Sequence, residues 1–120
     1  LEYASNRVQF GVPLADQQGI KFKLAEMATQ LEAARLLVYR AAIKKDNNAP
    51  DVTLAASMAK LYATEAGWSI IDQALQIHGG YGYMSEYAVA RAWADGRVQR
   101  IYGGTNEIMK ELIGRDVEIK

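Results

Sequence analysis

"GIKFKLAEMATQLEAARLLVYRAAIKKD", residues 19–46, sets its apolar side chains three or four positions apart. Leu24, Met27, Ala28, Leu31, Ala34, Val38 and Ala41 form one stripe, the pattern of a helix with a single buried face. Lys44 and Lys45 suit its C-terminal end, where the helix dipole favours cations, and "DNNAP" at 46–50 is turn chemistry. Asp51 reads as the N-cap of a second long helix that buries Leu54, Met58, Leu61, Trp68, Ile71 and Leu75. At about 1.5 Å per residue each helix runs roughly 35–40 Å. A short loop between two such helices predicts an antiparallel pair.

The rest of the chain extends this pair. "GGYGY" at 79–83 stops the second helix, Ser85 can cap a third over "EYAVARAWADGRVQR", and Thr105 can cap a fourth over "NEIMKELIGRD". Residues 1–9 read as the tail of an earlier helix. No segment alternates with period two for long enough to predict a strand. The expected fold is all-α, an antiparallel four-helix bundle with a preceding helix remnant, in a single domain over residues 1–120. The chain opens without an initiator Met or a signal-like region, so it reads as part of something longer.

Composition narrows the function. Fourteen basic and fourteen acidic side chains cancel, and no basic run is interleaved with aromatics, which argues against nucleic acid. No uninterrupted apolar run approaches the roughly 18 residues of a membrane span. Without cysteine there is no disulfide, thiolate metal site or cysteine nucleophile, in keeping with an intracellular protein. His78 is the only histidine, and at a helix C-terminus it reads as structural. Glu26, Glu32 and Glu65 lie within long helices and read as solvated charges.

Two glycine pairs stand out. Gly103-Gly104-Thr105 either makes an ordinary turn into a capped helix, or lets a ligand approach the backbone while the first amides of the last helix face it. Gly79 and Gly80 either stop a helix through a left-handed residue or admit a flat or phosphorylated ligand, with the Gln76 amide alongside. Arg7, before a turn, can clamp a phosphate or pair with a surface acid.

"NRVQFG" at 6–11, "LAEMATQLEAARLLVYRAA" at 24–42, "QIHGGYGYMSEYAVARAWADGRV" at 76–98 and "IYGGTNEIMKELIGRD" at 101–116 together resemble the C-terminal domain of the acyl-CoA dehydrogenase family. The resemblance runs through essentially the whole chain, and "IYGGTNEIMKELI" is similar to the long-chain and related members. It implies a C-terminal helical domain of an FAD-dependent oxidoreductase of lipid metabolism, in fatty acid β-oxidation. Such an enzyme converts an acyl-CoA to the trans-2-enoyl-CoA by loss of an α proton and transfer of a β hydride to FAD. Its expected partners are acyl-CoA, an electron-transfer flavoprotein as acceptor, and further copies of itself in a dimer or tetramer. The expected compartment is the cytoplasm in a bacterium and the mitochondrial matrix in a eukaryote.

Residue by residue, the resemblance puts FAD contacts at Arg7, Gln9, Gln17, Gln18, Gln76, Gly80, Thr105, Asn106 and Glu107. Several of these are expected to reach a cofactor held mainly by a neighbouring subunit, and Phe10 to lie beside the same site. Gly103 and Gly104 are the expected substrate contacts. Gly103 stands where many members carry the glutamate that serves as base, so no catalytic base is expected within residues 1–120; the base is expected upstream of Leu1. The fragment alone is then expected to be inactive. Two alternatives stay open: a cofactor-free helical binding or oligomerisation module, and a related acyl-CoA oxidase.

Overall fold

A computed structural model of the chain describes residues 1–117. The order is a short helix α1 (Glu2–Asn6), strands β1 (Val8–Gln9) and β2 (Val12–Pro13), long helices α2 (Gln18–Asp46) and α3 (Val52–His78), then α4 (Ala88–Gly96) and α5 (Asn106–Asp116). The four expected helices are all present, while the helix expected over residues 1–9 is confined to α1, with Val8–Gln9 in β1. α3 is the hub, with α2 along much of its length and α4 and α5 on other parts of it.

The fully buried positions on α3 are small: Ala55, Ser57, Ala59 and Ala66. Small side chains let neighbouring helices come close, and the larger Leu54, Met58, Leu61, Trp68, Ile71 and Leu75 are half-buried around them. Gly96 on α4 serves the same end, since a Cβ there would lie 3.1 Å from Ile71 Cδ1. Trp68 and Trp93 fill the α3–α4 contact with ring centroids 5.4 Å apart, and the Trp93 indole donates to Asp72 Oδ1 at 2.9 Å.

The stripe expected to be buried on α2 is covered only in part. No residue of α2 is fully buried, and Leu31 and Val38 are about half exposed at 52% and 47%. The molecule is correspondingly elongated, 55 × 29 × 25 Å, with a radius of gyration of 17.5 Å against about 14 Å for a compact domain of this length.

Several local expectations are corrected. Val8–Gln9 and Val12–Pro13 form a two-residue antiparallel hairpin where no strand was expected. Phe10 (φ +56°) and Gly11 (φ +81°) make its turn, as a type I′ turn requires, and two-residue strands are too short to show periodicity. Asp51 sits at the N-terminus of α3 but makes no side-chain cap. Its carboxylate instead binds Lys44 Nζ at 2.6 and 2.7 Å, tying the two ends of the α2–α3 loop. Ser85 caps nothing: α4 starts two residues later than expected, and Tyr87 at its N-cap makes no side-chain cap bond. The third helix also tightens to a 3-10 turn over Arg97–Arg100.

Candidate functional site

Five of the predicted contact residues come together. Arg7, Gln9, Gln17, Gln76 and Gly80 line one cleft of about 340 Å³ between the hairpin, the start of α2 and the end of α3. That is the low end of the range for ligand pockets, room for a segment of a dinucleotide rather than a whole one.

The cleft follows from local chemistry. α3 ends because Gly79 turns to φ +60°, a conformation that disfavours any side chain. A 3-10 turn over Gly79–Tyr83 then folds back so closely that a Cβ at Gly82 would collide with the Leu75 carbonyl. Gly79 and Gly80 face open space. The opposite side is set by Gln17, whose Nε2 donates to the Gln9 carbonyl at 3.3 Å and pins the hairpin to the entrance of α2. An aromatic wall closes the end: Tyr3 stacks on His78 with centroids 4.1 Å apart, and Tyr81 stacks on Tyr87 at 5.2 Å.

His78 takes its structural place, its Nδ1–H donating to the Ala74 carbonyl at 2.7 Å while its own carbonyl accepts from Tyr3 Oη at 3.2 Å. Arg7 does not pair with a surface acid. Five ion pairs occur among the described residues and none involves it. Its guanidinium lies 5.9 Å from the Tyr81 ring centroid, a cation–π contact that leaves its donors available. Gln18, the exposed first residue of α2, is outside the cleft lining. Phe10 does not lie beside the site within this chain; at the hairpin tip it is 95% exposed.

The other predicted residues form a second locus. Lys60, which reaches the Gly103–Thr105 turn, is sixteen residues before Gln76 on α3, about 24 Å along the axis at about 1.5 Å per residue. Gly103 and Gly104 have φ of +64° and +90°, so the turn itself demands glycine. Gly103 faces open space, whereas a Cβ on Gly104 would sit 2.7 Å from Met109 Cε. Gly103 also lines a groove with Val52, Thr53, Ala56, Lys60 and Met109. Thr105 caps α5, its Oγ1 accepting from the Ile108 amide at 3.3 Å.

Asn106 is revised. Its side chain is 2% exposed and committed inside the chain. Oδ1 accepts from Lys60 Nζ at 2.7 Å; Nδ2 donates to Thr64 Oγ1 and to Glu65 Oε1, each at 2.9 Å. A side chain so occupied holds the turn. Glu65 is no plain solvated charge either, since Arg100 Nε donates to the same Oε1 at 3.0 Å. Sequence reasoning passed over Lys60, Thr64 and Arg100, and misread Glu65, because their partners are more than thirty residues away and no local pattern marks such a link.

Glu107 is exposed in the first turn of α5. Its own backbone amide is the chief cause holding its carboxyl below the usual range; burial opposes this, and the Thr105 hydroxyl, Lys110 and Arg100 add smaller lowering effects. That is the wrong direction for a general base, which works best with a pKa near the operating pH.

Comparison with known proteins bears on family and fold. The sequence model for "Acyl-CoA dehydrogenase, C-terminal domain" matches residues 1–118. A subunit of the caffeyl-CoA reductase–Etf complex of Acetobacterium woodii is 51% identical over 94% of this chain and 30% of its own length. An acyl-CoA dehydrogenase of Bacillus subtilis is 50% identical over 96% of this chain and 30% of its own. The structure of butyryl-CoA dehydrogenase from Megasphaera elsdenii superposes with a TM-score of 0.93 at 47% identity, covering 96% of this chain and 30% of that one. The chain thus spans about 30% of the length of these relatives. With a family match over almost every residue and the same helical arrangement in a solved relative, the chain belongs to the acyl-CoA dehydrogenase family as its C-terminal domain.

Proposed function

We propose that this domain supplies cofactor and substrate contacts to an FAD-dependent acyl-CoA dehydrogenase that forms a trans-2-enoyl-CoA and passes its electrons to an electron-transfer flavoprotein. The observation that carries the reading is Arg7: a guanidinium with no carboxylate partner among the described residues, in one cleft with Gln17, Gln76 and Gly80. An arginine fork, carboxamide donors and glycine backbone suit a pyrophosphate and its polar neighbours. The donor set therefore fits FAD, with Arg7 on phosphate, Gln17 and Gln76 giving amide contacts, and Gly80 giving room. When bound, FAD accepts the hydride that leaves the β carbon.

The chain's own residues bind and orient. At the second locus, the backbone of Gly103 and Gly104 faces the thioester and Thr105 and Glu107 face the cofactor, while Asn106 keeps the turn in shape. Donors held against a thioester carbonyl make its α proton more acidic. The carboxylate that takes this proton is placed upstream of Leu1 in this reading, since Gly103 has no acceptor and the lowered pKa of Glu107 makes it a weak base. The two loci are about 24 Å apart along α3, so they serve different parts of a long ligand or different ligands. The reading adopted is that the second locus reaches a cofactor held mainly by another copy in a homo-oligomer.

Arg7→Ala in the full-length protein is the test. Loss of most bound flavin on gel filtration, with folding intact by circular dichroism, is the expected result. Undiminished flavin content would remove Arg7 from the site and with it the main support for the reading.

A further inference from the structure

The Gly103–Thr105 turn consists of residues that do not hold a shape by themselves. Gly103 and Gly104 both have positive φ, and glycine crosses between backbone regions at little cost. Thr105 fixes the α5 side of the turn through the Ile108 amide. The other side is fixed from α3, where the Lys60 ammonium donates to the Gly104 carbonyl at 2.7 Å and to Asn106 Oδ1 at 2.7 Å.

This grip has a directional consequence. The Gly104 carbonyl and the Thr105 N–H belong to one planar trans peptide, so they point in opposite directions. With the carbonyl drawn toward α3 by Lys60, the Thr105 N–H is turned away from α3. That N–H has no backbone acceptor among the described residues. The amides of the first turn of α5 lie beside it, at the positive end of the helix.

We propose that Lys60 is a positioning residue: by holding the Gly104 carbonyl it aims the Thr105 N–H outward, as a fixed donor to a ligand oxygen. The inference rests on the reading that this turn faces the cofactor and substrate. Lys60 itself spends two of its three donors within the chain and acts through the peptide. Asn106 completes the fixture, because its Oδ1 holds the ammonium while its Nδ2 is anchored to Thr64 and Glu65, and Arg100 holds Glu65 in turn.

The test is made in the full-length protein with Lys60→Met, which keeps the aliphatic stem and removes the donors. Amide hydrogen exchange over residues 101–109 is expected to rise on the order of tenfold, while α2 changes less than about twofold. Flavin release from the same variant is expected to be on the order of five- to tenfold faster, as for a donor that has lost its aim. A lower melting temperature with neither change would make Lys60 a stabiliser only and overturn the proposal. Faster exchange with unchanged flavin release would overturn the link between the turn and the ligand.

If Lys60→Met does not fold, Lys60→Arg decides. A guanidinium keeps the charge but has a different reach and planar geometry, and flavin release on the order of threefold faster is expected. Wild-type exchange and release in that variant would overturn the proposal. Should the wild-type protein hold no flavin at all, the functional reading fails separately, and exchange over residues 101–109 still shows whether Lys60 holds the turn.

Discussion

Asn106→Leu removes the centre of the network that joins α3 to α5. Leucine matches asparagine in the number and branching of its side-chain heavy atoms, so the change is chiefly the loss of polar bonds at a site only 2% exposed. Two of those bonds involve charged partners, Lys60 and Glu65, and each is worth about 1.5–3 kcal/mol. Neither charge is orphaned, since Lys60 keeps the Gly104 carbonyl and Glu65 keeps Arg100. The cost therefore stays below the ~3–5 kcal/mol of a broken buried ion pair. The Glu65 side chain is also 39% exposed, so water recovers part of the loss. Burial of the leucine returns about 1.5 kcal/mol or more.

The net expectation is a destabilisation of about 2–3 kcal/mol, a fall of about 1 M in the urea midpoint. Trp68 and Trp93, paired across α3 and α4, report the transition by fluorescence. Asn47→Ala is the comparison. Its exposed Nδ2 donates only to the Ile43 carbonyl at 3.0 Å, and its loss is expected to cost no more than about 0.5 kcal/mol. An Asn106→Leu midpoint equal to that of Asn47→Ala would refute the reasoning.

Three further outcomes follow from the geometry. Gly104→Ala combines a φ of +90° with a clash at Met109 Cε and should cost about 2–3 kcal/mol, against about 1 kcal/mol for Gly103→Ala, whose Cβ enters open space; urea denaturation that ranks them the other way would contradict this. The Lys44 hydrogen bond is the main cause holding the Asp51 carboxyl below its ordinary 3.8, so its contribution to stability is fully present above that value and lost as pH falls through the lower folded value. Acid unfolding curves should therefore show a shallower loss in that window for Lys44→Met; identical slopes would exclude the pair as a source. Glu107→Gln, which removes a carboxylate unsuited to act as base, should leave the α-proton exchange of a bound acyl-CoA within about threefold of wild type; a loss on the order of a thousandfold would make Glu107 the base.

The helices were legible because their information is local. The stripe from Leu24 to Ala41, the turn at Asn47–Pro50 and the cap at Thr105 each declare themselves within a few residues. Thr105 behaves as its type suggests, but Asp51 does not, because Lys44 offers its carboxylate a charged partner. That competition spans the α2–α3 loop and has no signature in the Asp51 neighbourhood. The hairpin at Val8–Pro13 was hidden for a different reason: a type I′ turn usually advertises itself with Asn-Gly, and here Phe10 occupies the first left-handed position.

The candidate site was legible as residue types and less so as arrangement. Arg7, Gln17, Gln76 and Gly80 do share a cleft, although nothing in their spacing states it. The inward turn of the Asn106 side chain had no local sign, since whether a polar side chain faces a ligand or the interior depends on partners such as Lys60, forty-six residues away in sequence. The open stripe of α2 shows the remaining limit: periodicity marks a face that wants cover but does not say which molecule supplies it.

Anaerobic bleaching of a bound flavin is the most direct measurement. The full-length protein is incubated with FAD, desalted, and its visible spectrum recorded before and after a saturated acyl-CoA is added with no other electron acceptor present. Visible flavin absorption that survives desalting and bleaches on addition of the thioester is the predicted result. A colourless protein, or a yellow one that no saturated acyl-CoA bleaches, would contradict the assignment of this domain to an acyl-CoA-oxidising flavoenzyme.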